Sequence, residues 1–250
     1  MVGGHVGAGM EQTVLVVDAS LGDTPAERNL TRELDAETDV WKVSEGEQPP
    51  AVGGPRWQYD AVVISGSQTA VYDDQQWIHD LVSWFRGVAA AGVPSLGVCW
   101  GHQFAAMALG GRVVRTGEYE LGYRPVRRIG EDPLFADVPT EFSVFQTHSD
   151  RVVELPPGAV TLARNDVGLQ AFRQGVTYGV QFHPEYDRET AEWVVGNKDL
   201  PAERLRAVRD GITDEVVASA RRAATVFDNF LDIAATHQPQ TGEYVRPPRE

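Results

Sequence analysis

The chain contains a single cysteine, Cys99, and only two lysines, Lys42 and Lys198. One cysteine cannot close an internal disulfide, so nothing calls for an oxidising compartment, and the cytoplasm is the default expectation. Positive charge is scarce: 22 Lys and Arg stand against 36 Asp and Glu, a formal net charge of -14. That balance repels phosphate backbones and argues against a nucleic-acid partner. An acidic, lysine-poor surface accompanies salt adaptation, and GC-rich coding produces a similar arginine bias; both explanations stay open. No apolar run approaches the ~20 residues needed to span a bilayer, so no membrane segment is expected. The opening stretch MVGGHVGAGM lacks the basic and apolar blocks of a signal peptide, and residues 1–12 read as a flexible leader. What is present is a globular composition, 42% hydrophobic and 23% charged, over 250 residues, enough for one large α/β core.

Short apolar runs at Thr13–Asp18, Asp39–Val43, Ala61–Ser65 and Val93–Val98 suit buried parallel strands. Between them, Thr24–Ala36, Gln76–Ala91 and Gly101–Leu109 have helical spacing; in the second, Trp77, Leu81, Trp84, Phe85 and Val88 recur at steps of three or four. This alternation predicts a mostly parallel central sheet flanked by helices. From Arg112 to Phe182 the pattern turns to short β-rich runs at 112–115, 121–129, 141–146, 151–155, 159–164, 168–173 and 176–182. Additional strands, some antiparallel, are expected there. After Tyr186, helices are predicted at Glu189–Val195, Pro201–Asp210 and Thr213–Ala235. The reading is one domain over 13–237, with 186–237 as a helical extension. Residues 238–250 hold three prolines and read as a disordered tail.

Chemistry concentrates at two places. In Gly97-Val98-Cys99-Trp100-Gly101 a buried strand meets a helix through a G-x-C-x-G turn, a nucleophile elbow with sulfur in place of oxygen. Such a turn lifts the sulfur above the carboxyl edge of the sheet, at a helix N-terminus that favours a thiolate. The N–H of Trp100 would then point toward an oxyanion formed on attack. Gln181-Phe182-His183-Pro184-Glu185 ends the last β run. There an imidazole two residues from a carboxylate can be oriented by it, and its cation stabilised by it. A lone cysteine is more often an inert core residue, and a His beside an acid is more often a surface pair. The joint presence of the two motifs outweighs both bland readings.

LGVCWGHQ at 96–103 together with VQFHPE at 180–185 resembles the class I, triad-type glutamine amidotransferases, above all the glutaminase part of GMP synthase. VVISGS at 62–67, ALGGRV at 108–113 and THSDRVVELPPG at 147–158 extend the likeness over roughly residues 13–186. The resemblance implies a flavodoxin-like fold of the class I type, and Cys99 as nucleophile, His183 as general base and acid, and Glu185 as its orienting carboxylate. It implies an oxyanion hole from the backbone N–H groups of Trp100 and the Gly66 neighbourhood, and substrate contacts at Gln103, Thr147 and His148, the last two in a loop. It implies hydrolysis of a glutamine side-chain amide through a γ-glutamyl thioester, with no cofactor. No His/Cys cluster has metal-ligand spacing.

Three departures stand out. The family loop SGGP is here Ser65-Gly66-Ser67-Gln68, and Ser67 lacks glycine's freedom at positive φ, which puts the resting shape of the oxyanion loop in question. That stretch is closer to stand-alone GMP synthase-like homologues, including γ-glutamyl peptidases. No synthetase motif of the SGGxDS kind and no P-loop is present, so use of the ammonia would fall to a separate synthetase subunit. Residues 187–250 exceed the usual closing helix and either pack on the sheet or form a lid or docking surface. Two rival functions follow: a γ-glutamyl peptide or amide hydrolase acting alone, and a silent regulatory module on the same scaffold.

Overall fold

The computed structural model describes residues 12–237. The tail at 238–250 and all but the last residue of the leader fall outside them. In chain order the elements are β1 (Thr13–Asp18), α1 (Ala26–Glu33), β2 (Glu37–Lys42), β3 (Ala61–Ile64), α2 (Gln76–Ala90), β4 (Ser95–Val98), α3 (Trp100–Ala108), β5 (Arg112–Arg128) and β6 (Glu141–Glu154). There follow β7 (Val160–Asn165), β8 (Gly168–Gln174), β9 (Thr177–Val180), α4 (Arg188–Gly196), α5 (Ala202–Asp210), α6 (Asp214–Ala220) and α7 (Thr225–Thr236).

The strands form one sheet in the order β2-β1-β3-β4-β9-β8-β7-β5-β6. From β2 to β9 neighbours run parallel; from β9 onward they run antiparallel. The α/β class with added antiparallel strands is therefore as expected. Alternation along β1 divides the core: Val14 and Val16 face one apolar layer with Leu30 of α1 and Phe227 and Phe230 of α7. Leu15 and Val17 face the other, with Leu81 and Phe85 of α2 and Phe104 of α3. Fully burying each such side chain is worth about 1.5–3 kcal/mol before entropy is counted. A third apolar cluster joins Leu121 and Phe145 to Ala191, Val194 and Val195 of α4, which fixes that helix over the β5–β6 limb. No helix among the described residues is long and apolar enough to cross a membrane.

Two expectations are corrected. The runs 112–115 and 121–129 are one strand, as are 141–146 and 151–155. The register between them shifts twice, from Arg112↔Glu154 to Val113↔Val152 and, more widely, from Arg115↔Asp150 to Glu120↔His148. The extra residues of β5 are taken up in that bulge, where the Thr116 hydroxyl donates to the Ser149 carbonyl (3.0 Å). Thr147 and His148 therefore lie in a strand, not a loop. The predicted helix at Thr213–Ala235 is broken by a 3-10 turn at Arg221–Ala224 between α6 and α7. The break falls where the Arg221 guanidinium binds both oxygens of Glu33 on α1 (2.9 and 2.6 Å).

Candidate active site

The carboxyl ends of β1, β3, β4 and β9 share one rim, and the strand order reverses between β1 and β3, the place where open α/β sheets hold ligands. A cleft of about 780 Å³ opens there, bordered by Ser20, Gly66, Cys99, Thr147 and His183 among others.

Cys99 follows β4 directly and caps α3 with φ 52° and ψ -101°. A non-glycine residue held there costs on the order of 1–3 kcal/mol, so its surroundings must impose it. They do: Cys99 N–H donates to Val180 O (2.8 Å), and its carbonyl accepts from Gln103 N–H (3.1 Å). The two elbow glycines make the turn possible by having no side chain. A β-carbon on Gly97 would stand 2.2 Å from Gly101 O, and one on Gly101 would stand 2.4 Å from Ile64 O.

His183 reaches the same rim because β9 pairs with β4 in register Val98↔Val180, and His183 N–H then bonds to Phe145 O (2.9 Å). The His183 Cε1 and the Cys99 Cβ lie 3.3 and 3.8 Å from the point where a β-carbon on Gly66 would sit. The sulfur is 4.0 Å from the Thr147 carbonyl oxygen. His183 Nδ1 and Glu185 Oε1 share a hydrogen bond of 2.7 Å, both side chains about 95% buried. His183 Nε2 has no hydrogen-bond partner among the described residues. Burial alone would depress the imidazole, but the charges of Glu185 and Cys99 outweigh it and hold its pKa well above the ordinary value.

The Ser65–Gln68 loop is tied to the elbow by Gly101 N–H donating to Ser65 O (3.1 Å). Neither Gly66 nor Ser67 sits at positive φ, so serine at 67 is tolerated without strain. Its hydroxyl is 3.1 Å from that of Thr69 and accepts from Thr69 N–H (3.3 Å). Trp100, as the first residue of α3, has an N–H without an intrahelical acceptor.

The remaining candidates divide. Thr147 borders the cleft and its hydroxyl is 2.7 Å from that of Tyr119. Gln103 also borders it, but its amide nitrogen donates to Asp150 O (2.8 Å) and Gln181 Oε1 (3.0 Å), leaving its oxygen for a ligand. His148 has both ring nitrogens engaged: Nδ1 with Asp150 O (3.1 Å), Nε2 with Gln146 Oε1 (3.1 Å) and Glu120 Oε2 (3.2 Å). Sequence reasoning passed over Tyr186. Its ring stacks on His183 at 4.1 Å between centroids, and burial followed by the Glu185 and Cys99 charges keeps its hydroxyl protonated. It also passed over Arg32, which donates to the Glu185 carbonyl (2.5 Å) and to Asp187 (2.6 Å). The position of Tyr186 next to Glu185 was a usable signal; Arg32, far away on α1, offered none.

A mixed sheet whose parallel half presents a cysteine at a strand-to-helix elbow, beside a carboxylate-bound histidine, defines an α/β protein with a candidate Cys-His-Glu site at its carboxyl rim. Within that class the chain belongs to the glutamine amidotransferase class-I family, whose model matches residues 15–195. Among curated proteins it is similar to the glutamine-hydrolyzing GMP synthase of Pyrobaculum aerophilum, 43% identical over 126 residues, covering 50% of this chain and 24% of that protein. It is also similar to the GMP synthase of Aquifex aeolicus, 38% identical over 197 residues, covering 71% of this chain and 37% of that one. The chain thus spans well under half the length of these relatives. Among solved structures, a glutamine amidotransferase from Thermotoga maritima superposes with a TM-score of 0.76 at 22% identity, covering 91% of this chain and 100% of that one. One from Methylobacillus flagellatus gives 0.74 at 20% identity, covering 89% and 95%. These two likenesses speak for the fold.

Proposed function

We propose that the protein hydrolyses the side-chain amide of glutamine through a Cys99 γ-glutamyl thioester, as the glutaminase of a GMP synthase-like system that passes the ammonia to a synthetase partner. One observation carries the reading: a buried imidazole, bonded to Glu185 on one nitrogen and with no other hydrogen-bond partner among the described residues than the thiol side, stands beside the strained Cys99 at one rim of the sheet. In the reaction His183 Nε2 takes the thiol proton and the sulfur attacks the amide carbon. The oxyanion is met by the N–H groups of Trp100 and the Gly66 loop. The C–N bond then breaks, and the departing ammonia takes the proton from His183. Water, deprotonated by the same imidazole, cleaves the thioester and restores the thiol. Thr147 and the Gln103 oxygen are the substrate contacts; His148 acts from beneath, through Gln146 and the Asp150 carbonyl. A nucleophile that must stay reduced fits a cytoplasmic setting.

A second reading, a γ-glutamyl peptide or amide hydrolase working alone, is favoured by the cleft itself. Its volume of about 780 Å³ is ample for a substrate longer than glutamine. Mass spectrometry of the protein incubated with glutamine and with γ-glutamyl dipeptides tests both. A glutamyl adduct on Cys99, absent in Cys99→Ala, is the expected result. No adduct with any of these substrates, with Cys99 still alkylated by iodoacetamide, would leave the silent module standing.

A further inference from the structure

Two positively charged side chains border the cleft, Arg115 and Lys198. Among the described residues neither has an ion-pair partner, in a chain with 36 acidic residues and only two lysines. The other lysine, Lys42, is bound by Asp18, Ser20 and Gly22. Lys198 is half-buried just past the end of α4, and its ammonium lies 5.3 Å from the centroid of the Tyr119 ring. Such a contact holds a cation in place without neutralising it. Tyr119 in turn links Lys198 to the strand beside Cys99: its hydroxyl meets that of Thr147 (2.7 Å), whose carbonyl oxygen lies 4.0 Å from Cys99 Sγ. Arg115 faces the other way, toward Tyr72 and Asp150, and is exposed.

We propose that Lys198 recognises a carboxylate of the substrate, the α-carboxylate of the glutamyl unit bound at Cys99. The proposal rests on the hydrolase reading above and deepens it. A half-buried cation with no ion-pair partner among the described residues, at the edge of a cleft, favours an anionic group there, and a charge-assisted contact of this kind is among the stronger hydrogen bonds. Lys198 lies beyond the last residue of the family match, which ends at 195. It is carried by the C-terminal helices, so those helices acquire a role in substrate selection. They present Lys198 because α4 is fixed over β5 and β6 by Val194 and Val195.

The test compares wild type with Lys198→Gln, Lys198→Glu and Lys198→Arg on three substrates: glutamine, the α-amide of glutamine, and γ-glutamylglycine. The expected result for Lys198→Gln with glutamine is a rise in KM of roughly 10- to 100-fold, with kcat changed less than about threefold and partial rescue by arginine. On the α-amide, which has no α-carboxylate, wild type and variant should converge. A loss confined to γ-glutamylglycine would move the recognised carboxylate to the amine portion and overturn the α assignment. Equal losses on all three, or none, would overturn carboxylate recognition altogether. Calorimetric binding of glutamine and its α-amide to Cys99→Ala, with and without Lys198→Gln, gives the same comparison without turnover. Wild type that binds glutamine without hydrolysing it would refute the hydrolase reading while leaving Lys198 open to judgement by binding.

Discussion

Replacing Gly101 with alanine should damage stability and chemistry together, because its β-carbon would drive the start of α3 into the end of β3. It would sit 2.4 Å from Ile64 O, 3.0 Å from Ile64 C and 3.1 Å from Ile64 Cβ. A carbon and a carbonyl oxygen tolerate roughly 3.3 Å, so the end of β3 and the start of α3 must part by about an ångström. The oxygen and the carbonyl carbon are backbone atoms and cannot swing aside as a side chain would. The separation breaks the Gly101 N–H to Ser65 O bond of 3.1 Å and moves the Ser65–Gln68 loop away from the thiol. Overpacking and the lost bond together cost about 2–4 kcal/mol, or roughly 5–15 °C in Tm for a chain of this size. A misplacement of ~1 Å in the reacting groups lowers kcat by on the order of 100-fold. The assay is a thermal melt alongside glutamate release, with Gly87→Ala as the control. Gly87 lies in α2 with nothing within 4 Å of its β-carbon position, so alanine there should be neutral or stabilising by up to about 1 kcal/mol. Gly101→Ala with a melt within 2 °C of wild type and undiminished turnover would refute the close-contact account of the elbow.

Glu185→Gln removes the charge that chiefly raises the His183 pKa, from 6.5 to about 10. A raised pKa stabilises the fold fully below the unfolded value near 6.5, and that share is lost as pH climbs through the folded value. Urea melts should therefore show the largest deficit of Glu185→Gln near pH 6, shrinking toward pH 10; a constant deficit would contradict the pairing. His102 goes the opposite way: burial, with a smaller contribution from His148, pushes its pKa down to about 3 despite the Gly179 backbone. Wild type should thus lose stability as pH falls from about 6.5 toward 3, and His102→Asn should flatten that limb of the stability–pH curve. Arg32→Ala takes a donor from the Glu185 carbonyl and should lower kcat by roughly tenfold. Its cost in stability should stay near 1 kcal/mol or less, as befits a guanidinium 35% exposed; equal kcat in wild type and variant would count against a positioning role.

The parallel half of the fold was legible because β1, β3, β4 and β9 are buried along their whole length, and a continuous apolar run is a strong signal over four to six residues. Thr13–Asp18 and Ala61–Ile64 were placed almost to the residue for that reason. The β5–β6 limb was harder. Tyr119 and Thr147 belong to strands whose middle is polar, since Glu120, His148 and Asp150 are buried there as a bonded cluster. A pattern of alternating hydrophobicity fails where polar groups are inside. At the site, Cys99, His183 and Glu185 could be named because the elbow and the tripeptide are local in sequence. Tyr119 and Lys198 come to the cleft, and Arg32 to the Glu185 carbonyl, through packing across the sheet and its helices, and no local spacing announces such an arrival.

The two halves of the site are held by different means, and the difference has a consequence. Cys99 is fixed by the sheet: its N–H bonds to β9, its carbonyl is bound within α3, and glycines at 97 and 101 admit backbone contacts that leave the turn no freedom. Moving the sulfur would require opening the core. His183 lies beyond the last residue of β9 and rests on one bridge to Phe145, the stacked ring of Tyr186, and the Glu185 carboxylate. Glu185 in turn is steadied through its carbonyl by Arg32 of α1, which also binds Asp187, the residue that caps α4. A force on α1 or α4 therefore reaches the imidazole before it reaches the thiol. Substitutions on α1 or α4 that break the Arg32 contacts are expected to shift His183 and Glu185 while leaving the Cys99 turn in place.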